Sequence, residues 1–303
     1  MDLRQLRYLV ALADERSFTR AAAREHVAQP ALSQQIRRLE RELGLALVER
    51  TTRRVAITDA GETLVRRARL ILAELDAAQE EMQALRGAWR GRVRVGAMHT
   101  MGPIDLSLAI AEFRQRHPEV EVVMLEQSSE ELAELLRAGE LDMAFLSVTE
   151  RIESRALALR QLISEELVVA LPRTHRLAGR EQLELGELAD EQFISYRQGA
   201  RLRELLAGAA ADAGFAPQIT LESNDSRRIL RLVDRGLGVA LLPRSDCEHA
   251  GPKVAVARLA GQRLTRDITL AWLESRRLAP AAAEFLALAL AIFVGDGRAR
   301  SQV

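Results

Sequence analysis

The chain of 303 residues is poor in the groups from which catalytic and redox sites are built. Its single cysteine, Cys247, excludes an internal disulfide, and a lone thiol without basic neighbours is far more often inert than reactive. The five histidines, at 26, 99, 117, 175 and 249, are scattered, with none at metal-ligand spacing. There is no glycine-rich phosphate loop and no serine flanked by glycines. The expectation is therefore no catalytic residue, no metal site and no cofactor. No apolar run is long enough to span a bilayer, and the start has no charged-then-apolar signal, so a cytoplasmic location without a membrane partner is expected. Lysine is almost missing: Lys253 stands alone, and the positive charge is arginine. The 43 basic and 43 acidic residues cancel to a net charge of +0, so any affinity for nucleic acid must come from a local patch.

Such a patch lies in residues 17–61. Ser17 suits the cap of a helix beginning at Phe18, and Ala21, Ala22 and Ala23 are small enough for a second helix to cross closely. Pro30 fits the first turn of that second helix, where its missing N–H is no loss. Leu32, Ile36, Leu39 and Leu43 recur at helical spacing, and Gly44 is placed to end the helix. The opposite face carries Ser33, Gln34, Arg37, Arg38 and Arg41, side chains suited to base edges and phosphates. An arginine-rich hairpin with Arg50, Arg53 and Arg54 follows and opens a new helix. A groove-sized helix flanked by a basic wing is a DNA-reading device, although an amphipathic pair with a solvated basic face has the same periodicity.

The pattern as a whole resembles the N-terminal domain of the LysR-type transcriptional regulators. The match runs through Ser17-Phe18-Thr19-x-Ala21-Ala22, Gln29-Pro30-Ala31-Leu32-Ser33, Ile36-x-x-Leu39-Glu40-x-x-Leu43-Gly44, Glu49-Arg50 and Thr58-x-Ala60-Gly61. The resemblance implies a winged helix-turn-helix over residues 1–58 that binds double-stranded operator DNA. Gln29, Pro30, Ser33 and Gln34 would face base edges, Arg37, Arg38 and Arg50 phosphates, and Arg53 or Arg54 the adjacent minor groove. Two positions depart from the family. Ala28 stands where a serine is usual, and Gln34 where arginine is frequent. Glutamine pairs most naturally with adenine, so an adenine-leaning preference is expected there.

Residues 58–88 form one long helical pattern, with Leu64, Ile71, Leu75, Ala78, Met82 and Leu85 in a stripe near heptad spacing. With nothing evident in its own chain to cover that stripe, a helix-on-helix dimer interface is expected, the alternative being a helix folded onto its own domain. The resemblance implies the same, a dimerising linker over 59–90, together with further assembly to a tetramer of the family's kind.

After Gly91 the texture becomes α/β. Strands are expected over 92–97, 120–126 and 141–146, with helices over 103–116 and 129–138 between them, an order that gives parallel strands. A second half repeats the pattern, with strands over 166–171, 193–196, 218–222 and 239–242 and helices over 202–213 and 227–235. A strand over 268–273 would return the chain to the first lobe before a buried last helix. The fold class is α/β overall: a winged helix-turn-helix, a linker helix, and a bilobed effector-binding domain over 91–303 resembling type 2 periplasmic-binding-protein lobes. Lobe I would comprise 91–162 and 267–303, and lobe II 163–266.

Ligands of parallel sheets sit beyond the strands' carboxyl ends. That rule selects His99, Thr100, Met101, Ser128, Ser129 and Ser147 in the first lobe, and Tyr196, Arg197, Arg201, Asn224 and Asp225 in the second. Hydroxyls and helix-start N–H groups suit a carboxylate or other small anion, although serine and aspartate at helix starts are also ordinary caps. The resemblance implies a small-molecule inducer between the lobes, with Thr100 aligned to a hydroxyl position used there, and RNA polymerase as a partner if the protein activates. An enzyme or a solute-binding receptor remains the alternative for the bilobed part. Neither accounts for residues 1–60.

Overall fold

The computed structural model describes residues 1–50, 55–85, 89–149, 152, 156–249, 254–261 and 263–295. Three units follow one another along the chain. The head begins with α1 (Leu3–Glu15), opened by a reciprocal cap between Asp2 and Gln5. Next comes α2 (Phe18–Arg24), capped by the Ser17 hydroxyl at 3.4 Å from the Arg20 N–H. The third helix, α3 (Gln29–Leu43), starts at Ala28 without a side-chain cap and ends at Gly44 in the left-handed region, φ +69°. Strands β1 (Val48–Arg50) and β2 (Val55–Ile57) pair antiparallel as the wing. Leu9, Leu12, Ala21, Leu32, Ile36 and Leu39 are fully buried and form the head's core, and Ala21 and Ala22 are the close crossing point.

The linker is α4 (Asp59–Ala84), 26 residues and so about 39 Å long at 1.5 Å per residue. Its start is held by the Thr58 hydroxyl, which accepts from the Gly61 N–H at 3.0 Å and donates to the Ala46 carbonyl at 2.7 Å. A Cβ at Gly61 would lie 2.2 Å from the Leu47 carbonyl oxygen, so only glycine fits this close approach. The expectation that α4 has nothing in its own chain to cover it is corrected here. Val65 joins the head's core, and Leu70 packs on the core of the domain that follows. The reason is a second apolar face: Leu70, Ala73 and Ala77 lie beside the expected stripe and make the intramolecular contact. Of the stripe itself, Leu64 packs half-buried against the head and Leu75 is half-buried. Ile71, Ala78, Met82 and Leu85 are exposed.

The remainder is α/β. Lobe I is built from β3 (Gly91–Ala97), α5 (Leu106–Arg116), β4 (Val120–Glu126), α6 (Ser129–Arg137) and β5 (Met143–Leu146). Strand β6 (Leu157–Pro172) then runs 16 residues out of this lobe into the next. Lobe II adds β7 (Gln182–Leu183), a 3-10 turn (Leu185–Leu188), β8 (Gln192–Ser195), α7 (Arg201–Asp212) and β9 (Gln218–Glu222). It continues with α8 (Ser226–Asp234), β10 (Ala240–Pro243), α9 (Arg244–His249) and β11 (Val254–Leu259). Strand β12 (Thr265–Leu273) brings the chain back, and α10 (Pro280–Gly295) covers lobe I.

The main sheet has the order β4-β3-β5-β12-β6-β11-β7, with β10 also paired to β6. Strand β3 is parallel to β4 and β5, as expected of right-handed crossovers, while β12 is antiparallel to both β5 and β6. The two crossing strands β6 and β12 thus connect the lobes, and each lobe keeps its own core, one around Phe113, Phe145 and Phe285 and the other around Phe193 and Leu206. The first half of β6, with β7, α9 and β11, goes beyond what the sequence pattern indicated. The segment Ala156-Leu157-Ala158-Leu159-Arg160 carries helix formers, and cross-strand pairing with β12 overrides that preference.

Candidate effector cleft and nucleic-acid interface

Between the lobes lies a cavity of about 490 Å³. Nine of the eleven side chains anticipated there line it: His99, Thr100, Ser128, Ser129 and Ser147 from lobe I, and Tyr196, Arg197, Arg201 and Asn224 from lobe II. Met101 and Asp225 do not. Met101 packs toward the lobe I core, and Asp225 caps α8, accepting from the Arg227 N–H at 2.9 Å and the Arg228 N–H at 3.3 Å. Several lining groups are likewise committed to structure. Ser128 caps α6 through a reciprocal pair with Glu131, and its hydrogen bonds hold the Glu131 carboxyl below its ordinary range. The Ser129 hydroxyl accepts from the Ser147 N–H at 3.0 Å, tying the first turn of α6 to the end of β5. The buried Tyr196 hydroxyl meets the Ser226 hydroxyl at 2.8 Å, and burial pushes its pKa upward. Asn224 accepts from the Arg197 backbone N–H at 3.2 Å.

The cavity floor holds a group that the sequence reading missed. Arg266 of β12 is 1% exposed and pairs with Glu165 of β6, 5% exposed, at 2.8 Å. Its Nε also donates to Glu165, at 3.0 Å, and its Nη1 donates to the Thr100 hydroxyl at 2.6 Å. Glu165 accepts from the Ser245 hydroxyl of α9 as well. Because Thr100 accepts from Arg266, the proton of its own hydroxyl is left to donate to an oxygen acceptor in the cleft. Of the other cations, Arg201 lies 3.6 Å from Glu204, whereas the Arg197 guanidinium is exposed and forms no ion pair among the described residues. Glu130 and Glu131 also line the cavity, so its walls are of mixed charge. No signal in the sequence marks Arg266, which is 166 residues from Thr100.

On the head, Gln29, Pro30, Gln34, Arg37 and Arg38 are exposed along one side of α3. Arg38 is partly engaged, donating to Glu42 at 2.9 Å, whereas Arg37 and Gln34 line an open concavity with Arg41 beside the wing. Ser33, expected on the exposed side, is only 8% exposed and sits at the boundary of the core, because Leu32 and Ile36 bring that flank of the helix inward. Arg50 closes β1 opposite Val55. Arg53 and Arg54 lie outside the described residues. No helix among the described residues is long and apolar enough to cross a membrane.

Comparison with known proteins places both units. Residues 3–62 match the family model of bacterial regulatory helix-turn-helix proteins of the lysR family, and residues 86–293 match the LysR substrate binding domain. The hydrogen peroxide-inducible genes activator of Dickeya chrysanthemi is 35% identical over 243 residues, 80% of this chain and 79% of that one. A full-length OxyR variant from Pseudomonas aeruginosa superposes with a TM-score of 0.75 at 29% identity, covering 96% of this chain and 94% of the other. CbnR, a LysR family regulator solved with its target DNA, superposes with a TM-score of 0.63 at 26% identity, covering 95% and 99%.

Proposed function

The chain belongs to the LysR family of bacterial transcriptional regulators, and on that premise we propose that it binds operator DNA through α3 and the wing under the control of a small carboxylate held between its lobes. The observation that carries the effector class is the floor of the cleft, where Arg266 sets the Thr100 hydroxyl as a donor. A ligand oxygen acceptor matches that donor. An ammonium group could use only the remaining lone pair of that hydroxyl, beside the Arg266 guanidinium. The pairing of Arg266 with Glu165 leaves little net charge at the floor, so the floor selects the ligand by hydrogen bonding more than by charge. The protein would act in the cytoplasm. It would assemble at least as a dimer through the exposed residues Ile71, Ala78, Met82 and Leu85 of α4, since one recognition helix reads too few bases.

The relative named for hydrogen peroxide raises a thiol-based reading. The chemistry of Cys247 argues against it: burial pushes the thiol up to about 12, leaving it protonated at neutral pH, and the chain holds no second cysteine to form an internal disulfide.

The test is a thermal-shift screen of the full chain with small carboxylates, each paired with its primary amide and its amine. Selective stabilisation by a carboxylate, lost in Thr100→Val, supports the reading. Equal response to acid and amine, or a response that survives Thr100→Val, removes the floor from the effector site.

A further inference from the structure

Helix α6 has one end in the cleft and the other against the linker helix that carries the DNA-binding head. Its first turn supplies Ser129 and Glu130 to the cavity wall, and Ser129 is anchored to Ser147. Nine residues, about 13 Å at 1.5 Å per residue, carry it to the opposite side of lobe I. Leu132, Ala133 and Leu136 are fully buried in the lobe I core, so the helix moves with its lobe rather than independently of it.

At the far end the chain turns at Gly139, φ +72°, directly onto the linker: a Cβ there would lie 2.8 Å from the Leu70 side chain of α4. The next residue, Glu140, bonds Arg69 of α4 at 2.7 Å. Arg69 also pairs with Asp14 of α1, and Asp14 pairs at 2.7 Å with Arg24 of α2, the first helix of the DNA-reading pair. Four charges of alternating sign thus run from the head through the linker to the effector domain. Arg69 sits at their centre, 18% exposed. Beside them a cavity of about 340 Å³ separates head, linker and lobe I, so water can reach the groups when the contact parts.

We infer that α6 couples the effector cleft to the head, with the Gly139–Glu140 turn and Arg69 as a latch that is either docked or released. This rests on the cleft being the effector site. A ligand drawing on the first turn of α6 moves a rigid helix whose other end meets the linker by one glycine contact and one ion pair. A displacement of an ångström there lengthens the Glu140–Arg69 contact beyond hydrogen-bonding distance. Arg69 then pairs with Asp14 alone, and the head loses its ionic tie to lobe I. A packed turn with an ionic latch has two arrangements rather than a continuum, the requirement for carrying a small shift between distant sites. Coupling between two sites is reciprocal, so loosening the head must be felt at the cleft.

Hydrogen exchange on the full chain, without any effector, tests this. Glu140→Gln and Asp14→Asn each remove one charge of the latch and touch neither the cleft nor the exposed side of α3. Glu140→Gln is expected to raise amide exchange at least threefold over residues 10–24 of the head, and Asp14→Asn to raise it at least twofold over residues 128–133 at the cleft. Arg69→Lys, which keeps a cation but cannot hold two carboxylates in the same planar geometry, is expected to give an intermediate increase at both ends. Exchange changes confined to the mutated unit, with the opposite end within 1.5-fold of the parent, would overturn the coupling. Because no effector is present, that failure is separate from a failed thermal-shift screen, which would bear on the cleft alone.

Discussion

Replacing Glu165 by glutamine removes a charge from the floor of the cleft while keeping its shape, and leaves Arg266 buried without a counterion. The guanidinium is 1% exposed and the carboxylate 5%, so solvent cannot take over the missing partner. Breaking such a buried pair from one side typically costs about 3–5 kcal/mol, more than most single substitutions. For a unit of this size each kcal/mol corresponds to about 2–4 °C, so Glu165→Gln should lower the unfolding midpoint by about 6–20 °C. Both tryptophans report on the correct region: Trp272 lies on β12 with Arg266, and Trp89 packs on the lobe I core. Urea unfolding followed by their fluorescence therefore measures the loss directly. The double variant Glu165→Met, Arg266→Met removes both charges and should recover at least about 2 kcal/mol of the sum of the single losses. A single-variant loss below about 1 kcal/mol, or strict additivity in the double variant, would refute the assignment of this pair as a desolvated unit.

Four further outcomes follow from particular contacts. Gly139→Ala must place a side chain against Leu70 at φ +72°, and should cost about 1–2 kcal/mol and loosen the docked linker, read as faster proteolysis between residues 60 and 90. Gln34→Arg should shift the preferred base at one operator position from adenine to guanine; selection on randomised DNA that returns adenine for both proteins would exclude Gln34 from base contact. Cys247→Ser should leave DNA binding equally indifferent to hydrogen peroxide, and a peroxide response lost in the variant would reinstate the thiol reading. The pH dependence comes from Glu80, whose carboxyl is raised above the ordinary 4.5, chiefly by burial. Glu80 accepts from the Arg92 backbone and faces Asp76, Asp142 and Arg94. A raised acid binds its proton more tightly when docked, so the Glu80 contribution to linker docking is fullest below about 4.5 and is lost as pH rises through the raised value. Small-angle scattering should show a more compact chain at pH 5 than at pH 8, and the opposite trend would show that the ion pairs outweigh burial.

The head was legible because its signals are local. Caps, Pro30, Gly44 and a period of 3.6 apolar residues lie within a few turns of one another. The strand–helix order of the lobes was readable for the same reason, and the rule that ligands sit beyond strand ends picked most of the cleft. What stayed hidden depends on distant partners. Ser33 lies on the boundary between two helix faces, where spacing alone does not separate core from surface. The linker carries two apolar faces side by side, and the sequence does not say which one its own chain covers. Arg266 reads as an ordinary charge between Thr265 and Asp267 until β6 brings Glu165 beside it. Asp225 shows the reverse error, a polar residue at a helix start that serves only as a cap.

The most direct test joins the two ends of the molecule. DNA selected by the full chain from a random pool would be titrated by fluorescence anisotropy with and without the carboxylate that stabilises the protein. The account expects an enriched two-fold sequence whose affinity or protected length changes with the carboxylate, and expects that change to vanish in Thr100→Val. A carboxylate that stabilises the protein yet leaves affinity and footprint unaltered would contradict it.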